Sequence, residues 1–103
     1  MMRELDRNRQ AIAKLCRKHG VRRLVLFGSA AAGEFDPARS DLDLLVEFEA
    51  LSPLDHANAY FGLADDLEAL VGRRVDLVEP QVIRNPYLKR SIEESQETLY
   101  VAS

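Results

Sequence analysis

The stretch from Val25 to Glu47, VLFGSAAAGEFDPARSDLDLLVE, constrains this chain more than any other. An apolar strand ends in Gly28-Ser29, a small-residue turn follows, and Asp41-Leu42-Asp43 then opens a second apolar run. Gly lets the backbone approach a phosphate closely, and helix-start N–H groups and a Ser hydroxyl can bind its oxygens. Asp-x-Asp in a strand points both carboxylates to one face, because side chains alternate with period two. Two such carboxylates facing a phosphate site make a hard, oxygen-rich place for Mg²⁺. The combination reads as a metal-dependent nucleotidyl-transfer site.

The rest of the chain sets limits on that reading. A length of 103 residues predicts one domain, residues 1–103, with one modest core. Hydrophobic residues make up 47% and charged residues 30%, ordinary values for a soluble globular protein. A formal net charge of −3 argues against broad nucleic-acid binding, which wants a basic face. No apolar run approaches the roughly 20 residues of a membrane span, and the N-terminus lacks an apolar signal core. The single cysteine, Cys16, excludes an internal disulfide, fits a reducing compartment and falls in a helical packing pattern. A cytoplasmic location is expected.

Periodicity predicts the elements. A helix runs from about Glu4 to Lys18, with Leu5, Ile12, Leu15 and Cys16 near one face and Gly20 as its stop. Val21 to Phe27 is a strand, Ser29 to Ala32 one tight helical turn, Gly33 to Arg39 a loop, and Asp41 to Phe48 a second strand. Ser52-Pro53-Leu54-Asp55 starts a helix by cap, proline and acidic first turn. Its expected buried stripe is Leu54, Ala57, Phe61, Ala64, Leu67 and Leu70 or Val71, ending at Gly72. Arg74 to Val78 is a third strand, and Asn85-Pro86 starts a last helix to about Glu94 that buries Leu88 and Ile92. Leu99 to Val101 is expected to add an edge strand. The order αβαβαβα suits an α/β (α+β) fold, a small mixed sheet with helices mainly on one face.

Strand alternation then places the candidate residues. Leu42, Leu44 and Val46 are expected to face the helices, and Asp41, Asp43 and Leu45 the other side. Val75 and Leu77 face the core and Asp76 faces outward. If the two strands are neighbours, Asp41, Asp43 and Asp76 converge on one open surface. Like charges this close repel, and a divalent cation removes that penalty. The face around Asp41, Asp43, Leu45 and Val78 is apolar enough to predict a partner there. Glu47 is read as plainly exposed, Glu34 and Asp36 as loop solvation, and Arg22, Arg23, Arg73 and Arg74 as solvated edge charges. His19 and His56 are expected away from the site, and Tyr60, Tyr87 and Tyr100 as packing aromatics.

Gly28, Ser29, Gly33, Ser40, Asp41 and Asp43, with Leu44-Leu45-Val46-Glu47-Phe48, Arg74-Val75-Asp76-Leu77-Val78 and Asn85-Pro86-Tyr87-Leu88, carry a resemblance over nearly the whole chain. It resembles the minimal nucleotidyltransferase (MNT) family of the polymerase-β-type superfamily. The resemblance implies a nucleotidyltransferase fold, two Mg²⁺ ions and ATP as substrate. It implies phosphate binding by Gly28 and Ser29, with Ser40 beside them, and metal ligation and catalysis by Asp41, Asp43 and Asp76. It further implies a HEPN-domain toxin as partner, with the chain as antitoxin adding AMP to a toxin tyrosine. Where the family carries arginines in the turn, this chain has Ala30 and Ala32. That departure keeps a second reading open, a non-catalytic antitoxin of the same fold that masks its partner sterically.

Overall fold

The computed structural model describes residues 8–27 and 42–102, apart from the side chains of Val82, Leu88, Ser91 and Ser95. Helix α1 spans Arg9–Lys18; Glu4 and Leu5, where the helix was expected to start, lie outside the described residues. Ile12 and Cys16 are its buried positions, and Arg17 and Lys18 stand in the last turn, where the helix dipole favours cations. Gly20 follows with φ 70°, the left-handed conformation that lets the chain turn into β1 without a Cβ penalty.

Strands β1 (Val21–Phe27) and β2 (Leu42–Phe48) pair antiparallel, and β2 pairs in parallel with β3 (Val75–Val78). The last strand, β4 (Glu97–Val101), adds antiparallel to β1 at the edge, giving the order β3-β2-β1-β4. A register shift between Val21 and Arg23 places an extra residue in β1. This bulge is why Val21 and Leu24, which strict alternation would put on opposite faces, both join the core on the helical side.

Helix α2 (Pro53–Val71) connects the parallel pair. The Ser52 hydroxyl accepts from the Asp55 N–H at 3.2 Å, Pro53 occupies the first turn, and Gly72 closes the helix at φ 68°. The buried stripe matches the expected one at Leu67, with Ala64, Leu70 and Val71 packed against the core, and differs from it in the first turns. Ala59, Leu63 and Leu67 are buried, while Leu54 is 71% and Phe61 66% exposed, and Ala57 is exposed as well. From Leu54 to Leu63 is about two and a half turns, which puts them on opposite sides of the helix. The sequence carries two apolar stripes here, and the sheet takes the one centred on Leu63.

That stripe packs with Ile12, Cys16, Leu24, Leu26, Leu42, Leu44, Val46 and Leu99 into the larger core, between the sheet and the α1–α2 layer. Leu42, Leu44 and Val46 face the helices as alternation predicts. Helix α2 also seals the outer edge of β3. The Glu68 carboxylate accepts from the Val75 N–H at 2.9 Å, and the Tyr60 hydroxyl donates to the Leu77 carbonyl at 2.6 Å. Outward-pointing backbone groups are thereby satisfied at an edge that would otherwise invite another strand.

A short 3₁₀ turn (Pro80–Val82) leads to helix α3 (Pro86–Ser95), whose Asn85 cap accepts from the Tyr87 N–H at 2.9 Å. Ile92 of α3 packs with Val25, Phe27 and Leu45 in a second, smaller core on the other sheet face, with Val78 and Ile83 against it. The face expected to be open around Leu45 and Val78 is therefore largely covered by the chain itself: Leu45 is only 7% exposed. The architecture is a four-stranded mixed sheet with α1 and α2 on one face and α3 across part of the other. The short helix expected over Ser29 to Ala32, and Leu88's side chain, lie outside the described residues.

Candidate functional site

Asp43 is a direct register partner of Asp76 in the parallel β2–β3 pair, with Leu42↔Val75 before it and Leu44↔Leu77 after it. Leu42, Leu44, Val75 and Leu77 all enter the helical-side core, so alternation sends Asp43 and Asp76 together to the opposite face. Adjacent strands lie about 4.8 Å apart, so the two carboxylates are immediate neighbours. Asp43 is half-buried and Asp76 exposed.

On the other side of Asp43 in the sheet stands Phe27, its partner in β1. Gly28 and Ser29 follow Phe27 directly in the chain, and Asp41 directly precedes Leu42. Gly28, Ser29, Ser40 and Asp41 themselves lie outside the described residues. Among the described residues no third carboxylate, imidazole or thiolate joins Asp43 and Asp76 to complete a metal-binding group. The donors that are described fit a hard divalent cation: two carboxylates, side by side on one sheet face.

Negative charge marks this end of β3. The Tyr60 hydroxyl is pushed above its ordinary pKa by burial first, and then by the nearby Glu79 and Asp76 carboxylates. Glu79 itself is engaged elsewhere, with His56 Nε2 at 2.6 Å and the Gln81 amide donating at 3.1 Å. His56 also lies tilted against the Phe48 ring, with centroids 5.1 Å apart. His19 pairs with Asp66 at 2.7 Å between α1 and α2. Both histidines thus tie elements together, away from the carboxylate pair.

Two expectations about charge are corrected. Glu47 is not plainly exposed: it is half-buried and paired with Arg23 at 3.2 Å, with Arg22 at 3.9 Å. Arg23 is accordingly no solvated edge charge, since it also donates to the Gln96 amide oxygen at 3.2 Å. The partners of Arg23 come from β2 and the end of α3, so no local sequence signal marked them. Among the tyrosines, Tyr60 and Tyr100 pack against the core, whereas Tyr87 is 82% exposed.

A nucleotidyltransferase domain family model matches residues 9–98. The chain belongs to that family. A protein of Methanocaldococcus jannaschii provisionally named as a protein adenylyltransferase is 39% identical over 93 residues, which is 90% of this chain and 89% of that protein. A solved structure of a provisionally assigned minimal nucleotidyltransferase is 39% identical, covers 90% of each chain and superposes with a TM-score of 0.66. A toxin–antitoxin crystal structure with AMP-PNP is 26% identical with a TM-score of 0.67, covering 92% of this chain and 74% of that one. The chain is a nucleotidyltransferase, and the sheet that pairs Asp43 with Asp76 is the nucleotidyltransferase fold. Among the described residues of this nucleotidyltransferase, no helix is long and apolar enough to cross a membrane.

Proposed function

We propose that this nucleotidyltransferase moves AMP from ATP to a hydroxyl of a partner protein, a tyrosine of a HEPN-type toxin, and thereby acts as its antitoxin in the cytoplasm. The register pairing of Asp43 with Asp76 carries the reading. Support for the chemistry comes from the relative named as a protein adenylyltransferase, and for the setting from the similar toxin–antitoxin structure with AMP-PNP.

In this reading Asp43 and Asp76, with Asp41, would hold the two Mg²⁺ ions. When bound, Mg²⁺ neutralises phosphate charge and lowers the pKa of an attacking hydroxyl. Gly28 and Ser29 would bind the β- and γ-phosphates through N–H groups and the Ser hydroxyl, with Ser40 beside them. Phosphoryl chemistry depends mainly on positioning and charge neutralisation, so little side-chain acid–base work is required. The rigid β2–β3 pair supplies that positioning, because both carboxylates project from hydrogen-bonded strands rather than loops.

Incubation with ATP, Mg²⁺ and the product of the adjacent gene, followed by intact mass, tests the reading. The expected result is a mass gain of one or more AMP units on the partner. Ala30 and Ala32, in place of the arginines seen in the resembling family, favour the alternative of steric masking. Under masking, an Asp43→Asn variant would neutralise the partner as well as the natural protein does. Under transfer it would not.

A further inference from the structure

Along β2, the residues that share a face with Asp43 are Leu45 and then Glu47. Leu45, Ile83 and Ile92 of α3 line a partly open cavity of about 190 Å³. Leu45 and Ile92 are 7% and 4% exposed, so its inner walls are aliphatic. Charged side chains stand around it in balance, Arg23 and Lys89 against Glu47 and Glu93. Arg23 is held between Glu47 and Gln96, at 3.2 Å from each, so one wall is fixed.

Three features limit what this cavity can take. Its size exceeds only modestly the roughly 150 Å³ aliphatic cavity that accepts benzene, and falls short of the roughly 300 Å³ where pockets for drug-sized ligands begin. One six-membered ring fits within it, whereas a purine with its ribose would extend beyond it. The balanced charges select against an anion or a cation and favour a neutral group. Its floor begins about 6.6 Å from Asp43, one full strand repeat along the same face.

We propose that the cavity seats the aromatic ring of the acceptor side chain, a phenol, with its hydroxyl directed toward Asp43 and Asp76. A phenol is neutral at pH 7, its pKa being about 10, and its ring matches the aliphatic walls. This inference rests on the transfer reading above for the identity of the acceptor. The seat is incomplete without α3, which gives the C-terminal helix a part in substrate selection.

Methyl-resolved NMR of the full chain tests the seat directly, with p-cresol and adenosine as probes. Saturable shifts of the Leu45, Ile83 and Ile92 methyl groups with p-cresol, and none with adenosine, are expected. An Ile83→Phe variant, which fills the cavity from a half-buried position, should abolish the cresol shifts. It should leave ATP affinity by calorimetry unchanged and raise the KM for the acceptor protein at least tenfold. Shifts with adenosine alone, or with neither probe, would overturn the seat. So would an unchanged KM in Ile83→Phe while AMP transfer proceeds. Cresol shifts without AMP transfer to any partner would uphold an aromatic-ring site and overturn the transfer reading instead.

Discussion

Asp43 and Asp76 are paired across two parallel strands, although an entire helix separates them in the chain. Parallel strands need such a crossover, and here it is α2, anchored by its Ser52 cap and its Gly72 stop. The distance between the carboxylates is therefore set by backbone hydrogen bonds, and a substitution at either one should change chemistry without changing the fold.

Asp76 is exposed on an edge strand, so Asp76→Asn should alter stability by no more than about 0.5 kcal/mol. Under the proposed transfer mechanism, AMP transfer should fall by about 100-fold or more, the scale of losing a charge-stabilising group in a preorganised site. Thermal denaturation and intact-mass transfer assays on the same preparation check both halves. Near-normal transfer in Asp76→Asn would remove it from the mechanism.

Gly62 lies where α2 meets the end of α1, and a Cβ there would stand 2.8 Å from His19 Cε1 and 3.2 Å from its Nδ1. The ring cannot swing away freely, because Nε2 is 2.7 Å from the Asp66 carboxylate. Replacing a helical Gly by Ala ordinarily stabilises by about 0.8–1.0 kcal/mol, whereas overpacking costs about 1–3 kcal/mol. Gly62→Ala should therefore destabilise by about 1 kcal/mol net. In a His19→Ala background the same change should stabilise, and urea unfolding of the four proteins of that cycle measures the coupling.

The Asp66 carboxyl is held below the usual carboxylate range, first by its hydrogen bond with His19 and then by that from Lys18. A depressed folded-state pKa stabilises above the unfolded value, about 3.9, and that contribution disappears as pH falls through the folded value. Asp66→Asn should melt lower than the natural protein near neutrality. The gap should close progressively below about pH 4. A gap that stays constant down to pH 2 would show that the ion pair is not the cause.

Cys16 is fully buried between α1 and the sheet, and burial pushes its thiol up to about 12 against a smaller opposing effect of Arg17. The thiolate is the reactive form, so the native protein at pH 8 should resist iodoacetamide. Labelling should follow the unfolding transition in urea. Rapid, complete labelling in buffer alone would contradict this burial.

Local signals were legible wherever one residue type does one local job. Gly20 and Gly72 as helix stops, and Ser52-Pro53 and Asn85-Pro86 as helix starts, stand where the sequence places them. Each works through backbone angles and N–H groups within a few residues. Strand alternation likewise assigned Asp43, Leu44, Asp76 and Leu77 to the correct faces, because the pleat has a period of two in any tertiary setting.

The buried side of α2 was not decided locally. Leu54 and Phe61 on one side, and Leu63 and Leu67 on the other, both make helical stripes, and only contact with the sheet chooses between them. The same holds for the covering of Leu45 by Ile92, for the Arg23 bonds to Glu47 and Gln96, and for the β1 bulge that turns Val21 inward. Sequence alone thus determined where α1 stops, where α2 begins and stops and where α3 begins, and that Asp43 and Asp76 leave the core. Tertiary structure decided which apolar stripe is buried and which strands are neighbours, because those outcomes depend on shape and area matched across long chain separations.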